Sequence, residues 1–312
     1  MSAAKPAGRL PLDDVNVGVI GTGNLGQSLV KGLTVAGHPK ALIHVSTRRS
    51  EKGRVVARNL GVTGHPRNRA VVDISDLLLL SVKPHQVLEV CEEIRPTLGT
   101  KPIISCAAGL TTTTIRAALG EDARVGRAMP NVAAAVGSGA AALWLPDGLD
   151  GDERADCVAV FEASGVVVEL PTETLFDVAT ALVGSGPAFT CVFAEALADA
   201  AVFCGLPRDV AQHLTAATIQ GSGRLLLETG EHPALWKARV TSPGGTTAAG
   251  LLALEEMGGR AAAMAAIVGA TERARELGEI ARQAVLDQDG AAGQDGSAIG
   301  TGTTDQDGDQ DP

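Results

Sequence analysis

A chain of 312 residues with 45% apolar side chains is long enough for about two domains with real cores. Its aromatic content of 2%, with no Tyr, makes those cores aliphatic and alanine-rich, and its net charge of −10 disfavours nucleic acid or anionic membrane as partner. The five cysteines (Cys91, Cys106, Cys157, Cys191 and Cys204) are odd in number and lack C-x-x-C spacing, which argues against a disulfide framework or a metal centre and for free thiols in a reducing compartment.

Residues 1–14 read as a loose leader without the apolar core of a signal peptide, and no run reaches 18 apolar residues, so a soluble, cytoplasmic protein is expected. Residues 15–20 form a short apolar strand that ends in Gly21-Thr22-Gly23-Asn24-Leu25-Gly26, after which Leu25, Leu29, Val30 and Leu33 repeat at helical spacing to Gly37. Strand, G-x-G-x-x-G and helix in that order are the setting of a dinucleotide fingerprint. Gly21 permits the tight turn, Gly23 lets the backbone meet a pyrophosphate, and Gly26 lets the helix pack closely on the strand. The next strand, residues 41–45, leads into Ser46-Thr47-Arg48-Arg49. A site for NAD carries Asp or Glu about 20 residues past the fingerprint to hold the ribose hydroxyl. Hydroxyls and arginines stand here instead, and they suit a 2′-phosphate, so NADPH is expected over NADH.

Residues 76–82 are the most apolar run and suit a central parallel strand buried on both faces. The strand ends in Lys83-Pro84-His85, at the sheet edge where ligands of such folds sit. Residues 102–106 give a further strand, and the small residues Ala107-Ala108-Gly109 leave room for a nicotinamide ring. Residues 124–129, Pro130-Asn131 and two short strand candidates at 140–145 and 166–170 follow, with helical spacing from Asp152 to Phe161 between them.

From Pro171 the pattern is helical throughout. Thr172 is placed to cap a helix over 173–183, Gly184-Ser185-Gly186-Pro187 to break it, and residues 188–204 to form a long helix closed by Gly205. Helices over 209–228, around 233–240 and over 260–286 complete this part. Several of their faces are apolar all round, which points to burial against a partner chain. Seven aspartates and no Lys or Arg fall between Asp287 and Pro312, a composition expected to be disordered.

One stretch of this half stands apart: Val240-Thr241-Ser242-Pro243-Gly244-Gly245-Thr246-Thr247, ahead of a helical run. Ser242 is the expected cap and Pro243 the first turn. The two glycines bare the backbone N–H groups, and Thr246 and Thr247 add hydroxyls. Such a helix start is a carboxylate cradle without Arg or Lys, with a dipole contribution of roughly 0.3–1 kcal/mol.

With these motifs in hand, the chain resembles the pyrroline-5-carboxylate reductases over roughly residues 15–285. The resemblance is carried by the fingerprint, Val82-Lys83-Pro84-His85, Ala107-Ala108-Gly109, Met129-Pro130-Asn131, Gly184-Ser185-Gly186-Pro187-Ala188, Gly205-Leu206-Pro207-Arg208 and the 240–247 block. It implies a Rossmann-type α/β domain over 15–171 and an all-α dimerisation and substrate domain over 172–286, with a tail from 287. It implies homodimers, possibly decamers, and hydride transfer from NADPH to the C=N bond of Δ1-pyrroline-5-carboxylate. By resemblance, Gly21, Thr22, Gly23, Asn24, Leu25, Val82, Lys83, Pro84, Ala107, Ala108, Asn68 and Asn131 meet the cofactor, and Ser46, Thr47 and Arg48 its 2′-phosphate. Gly245, Thr246 and Thr247 hold the substrate carboxylate, Thr247 with its hydroxyl near the ring nitrogen, and Glu173 stands on the substrate side. No metal is implied.

The chain departs from the family pattern at Val132-Ala133, where Thr-Pro is usual, and at Arg239, where many relatives carry Asn. Two other readings stay open at this point. An NADPH-binding sensor or non-catalytic paralogue would fit the Val132-Ala133 departure. A related hydroxyacid dehydrogenase would need a lysine acid–base, for which Lys237 is the sole candidate.

Overall fold

The computed structural model describes residues 12, 14–46 and 50–294. One eight-stranded sheet organises the first half. Its strands are β1 (Val17–Ile20), β2 (Ile43–Ser46), β3 (Thr63–His65), β4 (Leu77–Leu80), β5 (Ile103–Ser105), β6 (Val125–Pro130), β7 (Gly139–Trp144) and β8 (Gly165–Glu169), in the spatial order β3-β2-β1-β4-β5-β6-β7-β8. The strands from β3 across to β6 run parallel, and β7 turns back antiparallel to β6 with β8 parallel to it.

Alternation along the strands decides which helix covers which face. Val17, Val19, Ile43, Val45, Leu77 and Leu79 point to one side, where α1 (Asn24–Val35), α2 (Ser50–Leu60) and α6 (Gly151–Glu162) contribute Leu29, Leu33, Ala57 and Phe161. Ile20, Leu78, Leu80, Ile103 and Val125 point to the other, against α3 (Asn68–Ile74), α4 (Val87–Leu98) and α5 (Thr112–Leu119). Burying each such aliphatic side chain contributes roughly 1.5–3 kcal/mol, so the central strands are held from both sides. Caps fix two of these helices: Thr111 accepts the N–H of Thr114 at 3.2 Å, and Asp150 with Glu153 closes a full capping box on α6.

Among the described residues after Glu169 every element is helical: α7 (Phe176–Ala179), α8 (Gly186–Phe203), α9 (Arg208–Thr229), α10 (Pro233–Arg239), α11 (Thr246–Glu256) and α12 (Gly259–Gln294). The α/β first half and helical second half expected from the sequence are both present. Met129, Ala142, Phe176 and Ala179 form a small core that joins them.

Four local expectations are corrected. Leu12, assigned to a loose leader, is buried among the side chains under α1. Gly184-Ser185-Gly186-Pro187 does not interrupt the chain: residues Thr180–Ser185 form a π-helical stretch that runs directly into α8 with Pro187 in its first turn. The widened turn passes Pro187 without needing its missing N–H. Helix α12 continues past 286 to Gln294. And Ser242 is not a cap, as the site below shows.

Candidate active site

The carboxyl ends of β1, β4, β5 and β6 lie side by side, and the loops leaving them carry most of the expected cofactor residues. Gly21 leaves β1 with φ +96°, donates its N–H to the carbonyl of Ser46 at 3.0 Å and accepts the Ser81 hydroxyl at 2.5 Å. A Cβ there would fall 2.8 Å from the Val82 backbone nitrogen, and one on Gly26 only 2.2 Å from the Gly21 carbonyl, so helix α1 sits flush on the turn only with glycine at both positions. Gly23 is different: it faces open space. It caps α1 with no side-chain hydrogen bond, leaving the first N–H groups of Asn24, Leu25 and their neighbours bare. Beside them the hydroxyl of Thr22 is buried and has no partner. A bare helix start, an open glycine and an orphaned hydroxyl together fit a diphosphate.

Of the residues expected to meet a 2′-phosphate, Thr47 and Arg48 lie outside the described residues. Ser46 corrects an expectation. It is fully buried, and its hydroxyl donates to Asn68 Oδ1 at 2.6 Å, so it supports Asn68 rather than facing a phosphate. Asn68, at the start of α3, also donates to Glu93 Oε2 at 2.7 Å. On the same face His44 meets His65 at 3.2 Å and Asn16 at 3.2 Å, and Asn16 donates to Asp76. Burial lowers the pKa of both histidines.

At the other end, Val82 is half-buried and Lys83 is exposed where the turn Pro84–Gln86 begins. The N–H of Ala107 donates to the Ser105 hydroxyl at 3.3 Å, and Ala108 lies against the small core that joins sheet and helices. Burial pushes the neighbouring Cys106 thiol up to about 12, which removes it as a nucleophile. Gly109, at φ +81°, packs on α12: a Cβ on Gly278 would come 2.8 Å from its carbonyl. Asn131 uses Oδ1 to accept from the N–H groups of Ala133 and Ala140 at 3.2 and 3.3 Å, which fixes the turn over Val132–Val136.

Glu173 is committed inside the chain. One carboxylate oxygen accepts the Thr112 N–H at 2.7 Å and Arg127 Nη1 at 3.0 Å, and the other accepts the Thr112 hydroxyl at 2.7 Å. Arg127, 3% exposed on β6, also lies 4.2 Å from the centroid of Phe176. This geometry makes Glu173 a tie between sheet and helices. Neither Arg127, Thr112 nor Glu93 was marked in the sequence. The one available signal was a lone arginine inside an otherwise apolar strand.

The 240–247 block is a turn and then a helix start. Gly245 N–H donates to the Ser242 carbonyl at 3.0 Å across Pro243 and Gly244, whose φ is +69°, and Pro followed by a positive-φ glycine is the signature of a type II turn. Helix α11 therefore begins at Thr246 with Gly245 as its cap, again with no side-chain hydrogen bond. Thr247 is half-buried and Thr246 exposed. Arg239, just before the block, is paired with Glu231 and stacked 4.5 Å from the Trp236 ring centroid, which accounts for a guanidinium at that position. Among the described residues no hydrogen bond joins 242–247 to the sheet edge, and α11 packs on α12. Val192 and Leu197 on α8 and Leu252 and Leu254 on α11 are exposed.

Comparison with known proteins agrees with this layout. Residues 173–277 match the family model described as pyrroline-5-carboxylate reductase dimerisation, and residues 16–109 match that of NADP oxidoreductase, coenzyme F420-dependent. A pyrroline-5-carboxylate reductase of Arabidopsis thaliana is 37% identical over 86% of this chain and 98% of its own length. The structure of a pyrroline-5-carboxylate reductase from Coxiella burnetii superposes with a TM-score of 0.78 at 35% identity, covering 84% of this chain and 98% of that one. A Plasmodium falciparum pyrroline carboxylate reductase with NADP bound does so with a TM-score of 0.77 at 27% identity, covering 85% and 99%.

Proposed function

The chain belongs to the pyrroline-5-carboxylate reductase family, and from that premise we propose how its residues divide the work of reducing Δ1-pyrroline-5-carboxylate to L-proline. The enzyme is an NAD(P)H-dependent oxidoreductase, and it binds NADP(H). The observation that carries the division is a pair of helix starts left bare by glycine caps, at Gly23 and at Gly245. Each offers unpaired backbone N–H groups to an anion. The first, with the buried Thr22 hydroxyl, takes the dinucleotide diphosphate. The second takes the substrate carboxylate on Gly245, Thr246 and Thr247.

When bound, the reduced nicotinamide supplies a hydride. The protonated imine that receives it is already electrophilic, so the protein's task is to position the substrate and exclude water. Thr247 Oγ1 accepts the N–H of the iminium, and the ring nitrogen becomes the amine of proline without a proton from the protein. The groups around 242–247 fit this role. Lys237 is exposed, and His232 uses Nδ1 to cap α10. Ala107 and Ala108, small enough to leave room for the nicotinamide ring, would hold it together with Val82, Lys83, Pro84 and Asn131. The positions of Thr47 and Arg48 in sequence support a preference for NADPH over NADH.

The enzyme self-associates. We infer that the dimer completes the site. Among the described residues the cradle of one chain has no hydrogen bond to its own sheet edge, and the exposed apolar side chains of α8 and α11 need cover. The run Glu173–Phe203 is apolar enough, by length and composition, to cross a membrane, and lies within the dimerisation match. A partner chain is the cover we assign it. The sheet part over 15–171 and the helical part over 172–286 then act as cofactor and substrate domains. A cytoplasmic setting fits the five free thiols.

Oxidation of NADPH by the purified protein with pyrroline-5-carboxylate, with NADH alongside, tests the reading. Turnover with a higher kcat/KM for NADPH is expected. Equal values for the two nucleotides would remove the assignment of Thr47 and Arg48.

A further inference from the structure

Asn68 opens α3 with its side chain held from two sides. Its Oδ1 accepts the Ser46 hydroxyl at 2.6 Å, and its Nδ2 donates to Glu93 Oε2 on α4 at 2.7 Å. The Glu93 carbonyl takes the Nε–H of Arg69 at 2.6 Å, so α4 grips the first turn of α3 twice. A carboxylate only accepts, so Glu93 dictates which end of the Asn68 amide faces it. Oδ1 is thereby turned towards Ser46, and the buried Ser46 hydroxyl is obliged to donate. Ser46 is in turn fixed by its carbonyl on the N–H of Gly21. Sheet, α3 and α4 thus converge on a single amide at the sheet edge where the adenosine ribose lies in folds of this kind.

We propose that Glu93 is a positioning residue for the cofactor, locking the Asn68 amide for the adenosine ribose and tempering the preference for a 2′-phosphate. The proposal rests on the NADP(H) reading of this edge. With Ser46 and Glu93 engaged, Asn68 retains one N–H and one lone pair. That combination matches a ribose hydroxyl, which donates and accepts, better than a phosphate, which only accepts. The negative charge of Glu93 stands one hydrogen bond behind the amide and opposes a phosphate there.

The test titrates the full-length protein with NADPH and with NADH, following nucleotide fluorescence, for wild type, Glu93→Gln and Glu93→Ala, with thermal melting alongside. Glu93→Gln keeps an acceptor oxygen for Asn68 and removes the charge. Its Kd for NADPH is expected to fall roughly threefold while that for NADH stays within about twofold. Glu93→Ala releases the amide, and both Kd values are expected to rise roughly tenfold while kcat at saturating nucleotide holds. Identical Kd values in all three proteins overturn the proposal even if Glu93→Ala melts earlier, because a plain tie between α3 and α4 gives that result. A wild type that binds no NADPH overturns the NADP(H) reading itself. A wild type that prefers NADPH, with the ratio of Kd values unchanged in Glu93→Gln, leaves the NADP(H) reading standing and overturns the part of the Glu93 charge in cofactor choice, and with it the proposal.

Discussion

Arg127 Nη1 lies 3.0 Å from Glu173 Oε1, and this contact fastens the sheet to the first turn of the helical half. Burial lowers the pKa of Arg127, and the Glu173 charge and hydrogen bond work against that shift. The guanidinium is held under the Phe176 ring beside the loop that carries Ala108. Removing the carboxylate strands a buried cation and frees both Thr112 donors. Glu173→Ala is expected to cost about 3–5 kcal/mol of stability by chemical denaturation, and Glu173→Gln clearly less, since the amide oxygen still accepts. Equal losses in the two variants would mean that charge plays no part.

Thr247→Ala deletes a hydroxyl and leaves the backbone cradle in place. kcat/KM for pyrroline-5-carboxylate should fall at least about tenfold, the value of one hydrogen bond to a charged group. The Kd for NADPH should stay near wild type, because the site proposed for the diphosphate is the start of α1. Unchanged turnover would take Thr247 out of the mechanism.

Gly278 brings α12 against the Gly109 loop. A methyl group there would stand 2.8 Å from the Gly109 carbonyl, so one backbone must move. Gly278→Ala should destabilise by about 1–3 kcal/mol through overpacking, although alanine favours a helix by about 1 kcal/mol at an unstrained site. Because the same loop leads from Ala107 and Ala108, the variant should also raise the KM for the nucleotide. A more stable protein with wild-type kinetics would show that the two glycines are merely neighbours.

His44 gives the fold an acid sensitivity. Burial lowers its pKa from the ordinary 6.5, the nearby His65 lowers it further, and Asp76 partly opposes both. The unfolded chain therefore binds a proton that the folded chain resists. The stability from neutral His44 is complete above about 6.5 and is lost as pH falls from there through the lower folded value. In His44→Asn, the decline of melting temperature over that acid range should be shallower. An unaltered slope would assign the acid response elsewhere.

How much of this was legible in the sequence follows from distance along the chain. The fingerprint turn, the apolar central strands and the helical second half are local patterns, and the chain forms them where the periodicities place them. The start of α11 was misread by a few residues because Ser-Pro serves equally as a helix cap or as a turn. Here the turn wins, since Gly244 adopts φ +69° and hands the cap to Gly245. Ser46 looked like a phosphate ligand from its position at the end of β2, but its partner Asn68 is 22 residues away and pulls the hydroxyl inward. Arg127 and Glu173 are 46 residues apart and carry no shared local motif. Contacts of that kind exist only once the sheet has formed.

The central claim is that a bare helix start, rather than a cationic side chain, reads the substrate carboxylate. The direct measurement compares kcat/KM for pyrroline-5-carboxylate with that for 1-pyrroline, the same cyclic imine without its carboxylate, at saturating NADPH. Two hydrogen bonds from backbone N–H groups to an anion predict a preference of roughly a hundredfold or more for the carboxylated imine. Comparable values for the two imines would contradict the account.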